Sequence, residues 1–184
     1  CWKRVAHDVH TCLRSRGRGI GGELYPRFMN YNETWIADFA HRTLRNLDGL
    51  LEVAAGRSTN DPDVYEVTQL VNSLLGLIVF PKEKAYRKLP TTRMDKLRAL
   101  GWPSVTVGDQ ENENLRHVIV GMRNAAAHGN ITFTSGPDGI IRDIEFRNFH
   151  DNKLKWHGRI RVDDLEDLVR RIAETFINEF KTAA

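Results

Sequence analysis

Apolar residues recur with a helical period over three long stretches of the chain, each bounded by residues that start or stop helices. The first predicted helix begins after Asn32, a residue type that caps helices, and Gly56 ends it. The second extends from about Val64 to Phe80 and is apolar almost all round, which is typical of a helix at the centre of a bundle. The third extends from about Glu111 to His128, and Gly129 follows it.

After the third helix the period changes to that of β-strands. Residues 131–134 and 140–149 flank the turn sequence Ser-Gly-Pro-Asp-Gly, and residues 154–162 alternate in a further strand. Residues 163–181 then return to helical spacing. The pattern predicts a mostly α protein, a helical bundle with a small antiparallel β-hairpin or meander inserted before the last helix.

A basic segment lies between the second and third predicted helices. Residues 82–98 contain seven Lys and Arg side chains against two acidic ones. Pro90 predicts a loop, followed by a short helix that ends near Gly101. The basic side chains would attract the phosphates of RNA, and an ordinary solvated surface is the alternative interpretation.

The net charge of the chain is concentrated at its N-terminal end. The 184 residues include 27 Lys and Arg against 24 Asp and Glu, a formal net charge of +3. Residues 1–27 hold six of those basic side chains and two acidic ones, so the remainder is close to neutral. The net charge therefore does not by itself indicate that the remainder binds nucleic acid.

Residues 1–28 are predicted to be an N-terminal extension, and residues 29–184 a single domain, which suits the length of the chain. The extension ends in a Gly-rich linker, and Met29 stands just before the first strong helix signal. Two interpretations are open: a flexible basic arm, or upstream or vector sequence preceding a natural start at Met29.

Several classes of protein are disfavoured by composition. The two cysteines, Cys1 and Cys12, have no CxxC spacing, so we expect neither a disulfide framework nor a cysteine zinc site. The histidines show no metal-ligand spacing with carboxylates, and we expect no metal or cofactor. No apolar run approaches the roughly 18 residues of a membrane span, and no signal peptide is visible. The expected location is the cytoplasm, without membrane attachment.

The candidate chemistry lies at the end of the third helix, in the sequence Arg123-Asn124-Ala-Ala-Ala-His128. Asn124 and His128 are four residues apart and therefore share a helical face, on which His117 lies further towards the N-terminus. Imidazole and guanidinium groups suit phosphodiester chemistry, because one transfers protons and the other matches phosphate oxygens. Alternatively, basic residues at this end of a helix simply complement its macrodipole.

The RNxxxH pattern in a late helix of a predicted bundle resembles the HEPN superfamily, whose domains carry an Arg-x(4–6)-His motif with a polar residue after the Arg. Two further stretches, residues 39–47 and 67–81, look like one subfamily found on bacterial plasmids and chromosomes, with toxin-like members. The resemblance covers roughly residues 31–180 and implies a HEPN-like four-helix bundle of the up-down type.

The resemblance further implies a metal-independent endoribonuclease that leaves a 2′,3′-cyclic phosphate (or 3′-phosphate) end and a 5′-OH end. His128 would act as general acid or base, Arg123 would hold the scissile phosphate, and Asn124 would orient His128 or a phosphate oxygen. A catalytically inactive HEPN module that binds nucleotide, RNA or a partner protein is the alternative.

We also expect further RNA-binding residues and particular binding partners. His117, Lys88 and Arg93 are candidate RNA-binding residues. The expected partners are RNA, a second copy of the chain that faces the first through the motif helix, and a cognate antitoxin protein. The small residues Ala125–Ala127 suit such close packing, although packing within one chain requires the same residues.

Two aromatic residues of the predicted hairpin, Phe149 and Trp156, also allow two interpretations. They would stack on RNA bases if they were exposed. If they were buried, they would belong to the packing of the sheet.

Overall fold

Helices make up most of the described part of the chain, and an antiparallel sheet makes up most of the rest. The structure is a computed structural model that describes residues 35–56, 66–81, 83–108 and 113–180. The predicted extension of residues 1–28 and the predicted cap Asn32 lie outside these ranges. Within them the elements are, in chain order, α1 (Trp35–Ala55), α2 (Glu66–Val79), α3 (Glu83–Tyr86), α4 (Met94–Ala99), β1 (Thr106–Val107), α5 (Leu115–Ala127), β2 (Ile131–Ser135), β3 (Ile141–His150), β4 (Lys153–Arg161), a 3-10 turn (Val162–Asp164) and α6 (Leu165–Phe180).

The sheet is built from three consecutive antiparallel strands, β2, β3 and β4, with the two-residue β1 added beside β4. Ile144 of β3 pairs with both Phe133 of β2 and Ile160 of β4. Asp151 and Asn152 turn the chain between β3 and β4 with positive φ angles, a conformation that Asn and Asp tolerate better than most residues. The prediction of a mostly helical protein with an antiparallel meander before its last helix is confirmed.

The predicted start of the third helix is wrong by several residues. Glu113 and Asn114 are not helical, and α5 begins at Leu115. Asn114 has an extended backbone, and its side-chain oxygen accepts a hydrogen bond from the backbone N–H of His117, which makes it the N-cap. The strand β1 has no counterpart among the predicted elements, because it forms by pairing with β4, which lies far along the chain.

The core lies between the long helices and beneath the sheet. Helix α1 contacts α2 and α6, α2 also contacts α5 and α6, and α5 contacts β3 and β4. Fully buried side chains come from each of these layers, such as Leu74 of α2, Ile119 of α5, Phe146 of β3 and Phe176 of α6. Among the described residues, no helix is long and apolar enough to cross a membrane.

The sheet approaches α5 through one aromatic ring. The Trp156 side chain of β4 is buried against Gly121 of α5, where an added Cβ would lie 2.7 Å from Cε3 of the ring. The same ring covers Gly158 of β4, where an added Cβ would lie 2.9 Å from Cζ2. Both glycines are required because a side chain at either position would enter the ring. Trp156 is therefore a packing residue, whereas the exposed Phe149 remains available for base stacking as a prediction.

Gly121→Ala should destabilise the protein by about 1–3 kcal/mol, because the new methyl group forces the Trp156 ring and β4 away from α5. Urea denaturation followed by circular dichroism measures this free energy of unfolding. Gly49→Ala is the matched control, since Gly49 lies within α1 with no atom inside 4 Å of an added Cβ. That variant should gain about 0.5–1 kcal/mol from better helix propensity. A Gly121→Ala protein as stable as wild type would contradict the tight ring contact.

Candidate functional site

The RNxxxH residues lie where α5 ends and the sheet begins. Asn124 begins the last turn of α5 and Arg123 directly precedes it; both are half-buried, while His128 is the C-cap residue and is exposed. A rise of 1.5 Å per residue places the backbones of Arg123 and His128 about 7.5 Å apart along the helix axis. Of the intervening alanines, Ala125 is fully buried in the core and Ala127 is exposed.

The end of α5 is held by backbone hydrogen bonds around Gly129. The N–H of Asn130 donates to the carbonyl of Ala125 at 2.8 Å, and the N–H of Gly129 donates to the carbonyl of Ala126 at 3.1 Å. This Schellman arrangement requires a positive φ at Gly129, which is 69°. The carbonyl of Asn130 in turn accepts from the N–H of Arg147 in β3. His128 therefore stands at a rigid joint between helix and sheet, with its ring in solvent.

Arg123 keeps its positive charge unpaired within the described part of the chain. Its Nη1 donates to Oδ1 of Asn124 at 3.0 Å, and its Nε is buried without a hydrogen-bond partner among the described residues. Eight other arginines there pair with carboxylates: Arg42, Arg93, Arg142, Arg147, Arg159, Arg161, Arg170 and Arg171. An anion that reached Arg123 would not have to displace a carboxylate.

Tyr86 of α3 lies beside Arg123, and sequence reasoning did not single it out. Its hydroxyl is buried and donates towards the carbonyls of Ile78, at 2.6 Å, and Pro81, at 3.1 Å. Burial raises the pKa of Tyr86, and the nearby positive charge of Arg123 opposes that rise. The hydroxyl is therefore neutral at physiological pH. The sequence offered one signal for Tyr86: it is an aromatic residue with a hydroxyl group within the basic segment of residues 82–98.

A second arginine of α5 ties the segment after α3 to the same helix face. Arg116 donates through Nε to the carbonyl of Leu89 at 3.0 Å and through Nη2 to that of Arg87 at 2.7 Å. Arg116 and Arg123 are seven residues apart, about two helical turns, so their side chains leave α5 on one stripe. The carbonyls of Arg87 and Leu89 therefore lie at the Arg116 end of that stripe.

The structure does not bring the candidate RNA-binding residues to His128. Lys88 lies over the Phe180 ring, with its Nζ 5.3 Å from the ring centroid, and it precedes the Leu89 carbonyl that Arg116 binds. Arg93 pairs with Asp95 and forms a β-bridge with Asn114 at the start of α5. Both positions are near the end of α5 opposite to His128, and contact with RNA there remains a prediction.

His117 also lies at that opposite end, in the first turn of α5. It is eleven residues before His128, about 16 Å along the helix axis. Its Nδ1 is 3.4 Å from Nδ2 of Asn114 and 3.8 Å from Oε2 of Glu113. The Glu113 side chain is buried, its Oε2 has no hydrogen-bond partner in the described part of the chain, and burial raises its pKa against the opposing charge of His117. Nowhere in the described ranges do three His, Cys, Asp or Glu side chains group as a metal site would require.

Glu113→Gln should make the protein more stable at neutral pH. Burial raises the pKa of Glu113 in the folded state, so the folded protein is favoured when this carboxyl is protonated. That contribution to stability is present in acid and is lost as the pH rises through the folded pKa. Urea denaturation at several pH values should show an advantage of the variant at pH 7 that disappears below the unfolded pKa of about 4.3. Glu52→Gln, at an exposed position of α1, should show no such pH-dependent gain. A Glu113→Gln protein that is less stable at pH 7 would contradict the burial cost.

Comparisons with known proteins bear on this site. The model of the family described as HEPN pEK499 p136 matches residues 29–182, a range that holds every helix and strand described above, including the Arg123 to His128 segment. Neither the curated proteins nor the solved structures yielded a match. HEPN domains are in general associated with RNA cleavage or nucleotide binding. The extent of the match shows that the chain belongs to the HEPN superfamily, in the family HEPN pEK499 p136.

Proposed function

We propose that this protein is an endoribonuclease that cleaves RNA without a metal ion, at a site formed by Arg123, Asn124 and His128. The observation that carries the proposal is the uncompensated guanidinium of Arg123 near the C-terminal end of α5, followed by an exposed histidine at the C-cap of the same helix. Eight other arginines of the described residues pair with carboxylates and Arg116 binds two backbone carbonyls, whereas the guanidinium of Arg123 does neither. Membership of the HEPN superfamily supports the same conclusion.

The proposed reaction is an internal transfer at phosphorus. The ribose 2′-oxygen forms a bond to the adjacent phosphorus, and the bond from phosphorus to the 5′-oxygen breaks. His128 takes the proton of the 2′-OH or supplies one to the leaving 5′-oxygen, a role for which its ring is exposed and free of hydrogen bonds to the described residues. The products are a 2′,3′-cyclic phosphate end, which water opens to a 3′-phosphate, and a 5′-OH end.

Arg123 would stabilise the charge that builds up on the non-bridging phosphate oxygens. A guanidinium offers five N–H donors in a planar fork that matches two such oxygens. Its half-buried position strengthens the attraction, because water screens the charge less there than on an open surface. Asn124 accepts from Nη1 and so fixes one edge of the guanidinium.

A second copy of the chain would complete the site. The reaction needs both an acceptor and a donor of protons, whereas each RNxxxH motif holds one histidine. We propose a homodimer in which the ends of two α5 helices face each other, so that two Arg123 and His128 sets line one RNA cleft. The small exposed side chain of Ala127 permits a close approach there. The wider proposal is an up-down four-helix HEPN bundle that acts in the cytoplasm as a toxin or defence effector, restrained by a cognate antitoxin.

Purified protein should cleave single-stranded or structured RNA in the presence of EDTA. His128→Ala and Arg123→Ala should each reduce the rate by about 10²–10⁴-fold, because each removes a group that acts in the transition state. Denaturing gels measure the rate, and end-group analysis identifies the cyclic phosphate. His150→Ala and Arg161→Ala, at exposed positions of β3 and β4, are the matched controls and should retain activity.

The opposite outcomes separate the alternatives. Full activity of a folded His128→Ala protein would exclude that residue from the chemistry. A wild-type protein that cuts no RNA but binds nucleotide or a partner protein would identify the domain as a catalytically inactive HEPN module.

A further inference from the structure

The tip of the β3–β4 hairpin exposes two apolar side chains next to each other. Phe149 of β3 pairs with Leu154 of β4, and the two residues are 45% and 53% exposed. Residues that pair directly across antiparallel strands point to the same face of the sheet, with Cβ atoms about 4.5–5.5 Å apart. The turn at Asp151 and Asn152 closes the hairpin just beyond this pair. Phe149 and Leu154 therefore form one small apolar surface on a short hairpin.

A shift of register in the β3–β4 ladder creates this surface. The preceding pair joins Asn148 to Trp156, so Lys155 is an extra residue of β4 with no partner in β3. In a regular strand Leu154 would share the face of Trp156, which is buried against α5, because side chains two residues apart point to the same side. The extra residue turns Leu154 to the opposite face, where it meets Phe149 and solvent.

The hairpin tip lies at the same end of the sheet as His128. The backbone N–H of Arg147 in β3 donates to the carbonyl of Asn130, two residues after His128, at 3.0 Å. Because β2 and β3 are antiparallel, β3 continues from this hydrogen bond towards the side from which the chain enters β2. Phe149 is two residues further along β3, about 7 Å. The apolar surface therefore extends from the same backbone joint that holds His128.

The size and charge of this surface fit an RNA strand better than a second protein chain. Two side chains offer far less than the roughly 800 Å² that each partner buries in a stable protein–protein interface. An aromatic ring can stack on the flat face of any base. Lys153 and Lys155, on either side of Leu154 in the chain, are exposed and form no ion pair with a described residue. The phosphates of an RNA strand would therefore meet uncompensated positive charge there.

We propose that Phe149 and Leu154 form a base-binding subsite of the nuclease, in which a base of the RNA substrate near the scissile bond stacks on the Phe149 ring. The inference rests on the proposed function. Leu154 supports the edge of the stacked base, and Lys153 and Lys155 attract the phosphates on either side of it. A base inside a duplex is already stacked on both faces, so this subsite selects an unpaired nucleotide.

The binding test uses the full chain and a fluorescein-labelled single-stranded RNA with 2′-O-methyl groups, which lacks the 2′-OH that the proposed reaction requires. Fluorescence anisotropy measures the Kd at constant salt. Phe149→Ala should raise the Kd about 5- to 150-fold, the usual loss when one stacking ring is removed, whereas Phe149→Tyr keeps a ring and should bind like wild type. Equal affinity of wild type and a folded Phe149→Ala protein would overturn the proposal.

Phe133→Ala is the matched control for this test. Phe133 is also 45% exposed, but it lies on β2 three residues beyond Asn130, in the direction away from His128. Its loss should leave the Kd unchanged. If Phe133→Ala weakened binding as much as Phe149→Ala, the loss would reflect exposed apolar area in general, and the subsite would be overturned.

A second measurement asks whether the ring contacts a base. One abasic position is moved along the same RNA, and the Kd is measured for each position. Wild type should lose affinity at one position, and Phe149→Ala should show no further loss there, because the ring and the base form one contact. Equal losses in both proteins at every position would show that the ring stacks on no base, and would overturn the proposal.

The two tests separate failure of this inference from failure of the proposed function. Wild-type protein that binds RNA through Phe149 but cuts none would overturn the ribonuclease proposal, while the base-binding surface would stand. Active wild type together with a Phe149→Ala protein that binds and cuts RNA equally well would overturn the subsite alone. If Phe149→Ala changed the oligomeric state in sedimentation but not the Kd for RNA, the surface would be a protein interface and the proposal would fall.

Discussion

The contact between the Trp156 ring and Gly121 sets the distance between the sheet and α5, and the geometry of the candidate site depends on that distance. Two glycines, one on the helix and one on the strand, leave room for a single indole ring between the layers. Through this contact β3 and β4 lie directly on α5, and the same helix carries the RNxxxH residues at its C-terminal end. A change in the distance between Trp156 and Gly121 would shift the sheet relative to α5, including β2, the strand that follows His128 in the chain.

The backbone between α5 and β2 holds His128 in a defined position relative to the helix and the sheet. The helix ends in a Schellman arrangement at Gly129, and Asn130 is hydrogen-bonded both to α5 and to β3. His128 is thus fixed through its backbone while its ring stays in solvent, which suits a group that must exchange protons with a substrate. Stability and function are separated here, since the backbone supplies the rigidity and the side chain is left free.

The electrostatic arrangement distinguishes Arg123 from most other arginines of the described structure. Eight of them pair with carboxylates on or near the surface, where such pairs contribute little to stability. Arg123 is half-buried, and its guanidinium donates to the neutral side-chain oxygen of Asn124. A cation held without a counter-ion is unfavourable in the free protein and becomes favourable when an anion binds, so the arrangement is better suited to recognition than to stability.

The sequence by itself determined the features that depend on residues close together in the chain. Helical and alternating periods located the long helices and the meander, Gly129 marked the end of α5, and the RNxxxH spacing placed Arg123 and His128 at that end. Only the tertiary structure decided which residues far apart in the chain meet: Trp156 with Gly121, and Arg116 with the carbonyls of Arg87 and Leu89. Those contacts depend on how whole elements pack, and no local pattern specifies packing, because the same apolar period fits many neighbours. His117 shares a predicted face with His128, but the helical rise alone places it about 16 Å away along the axis, beside Glu113 and Asn114 at the opposite end of α5.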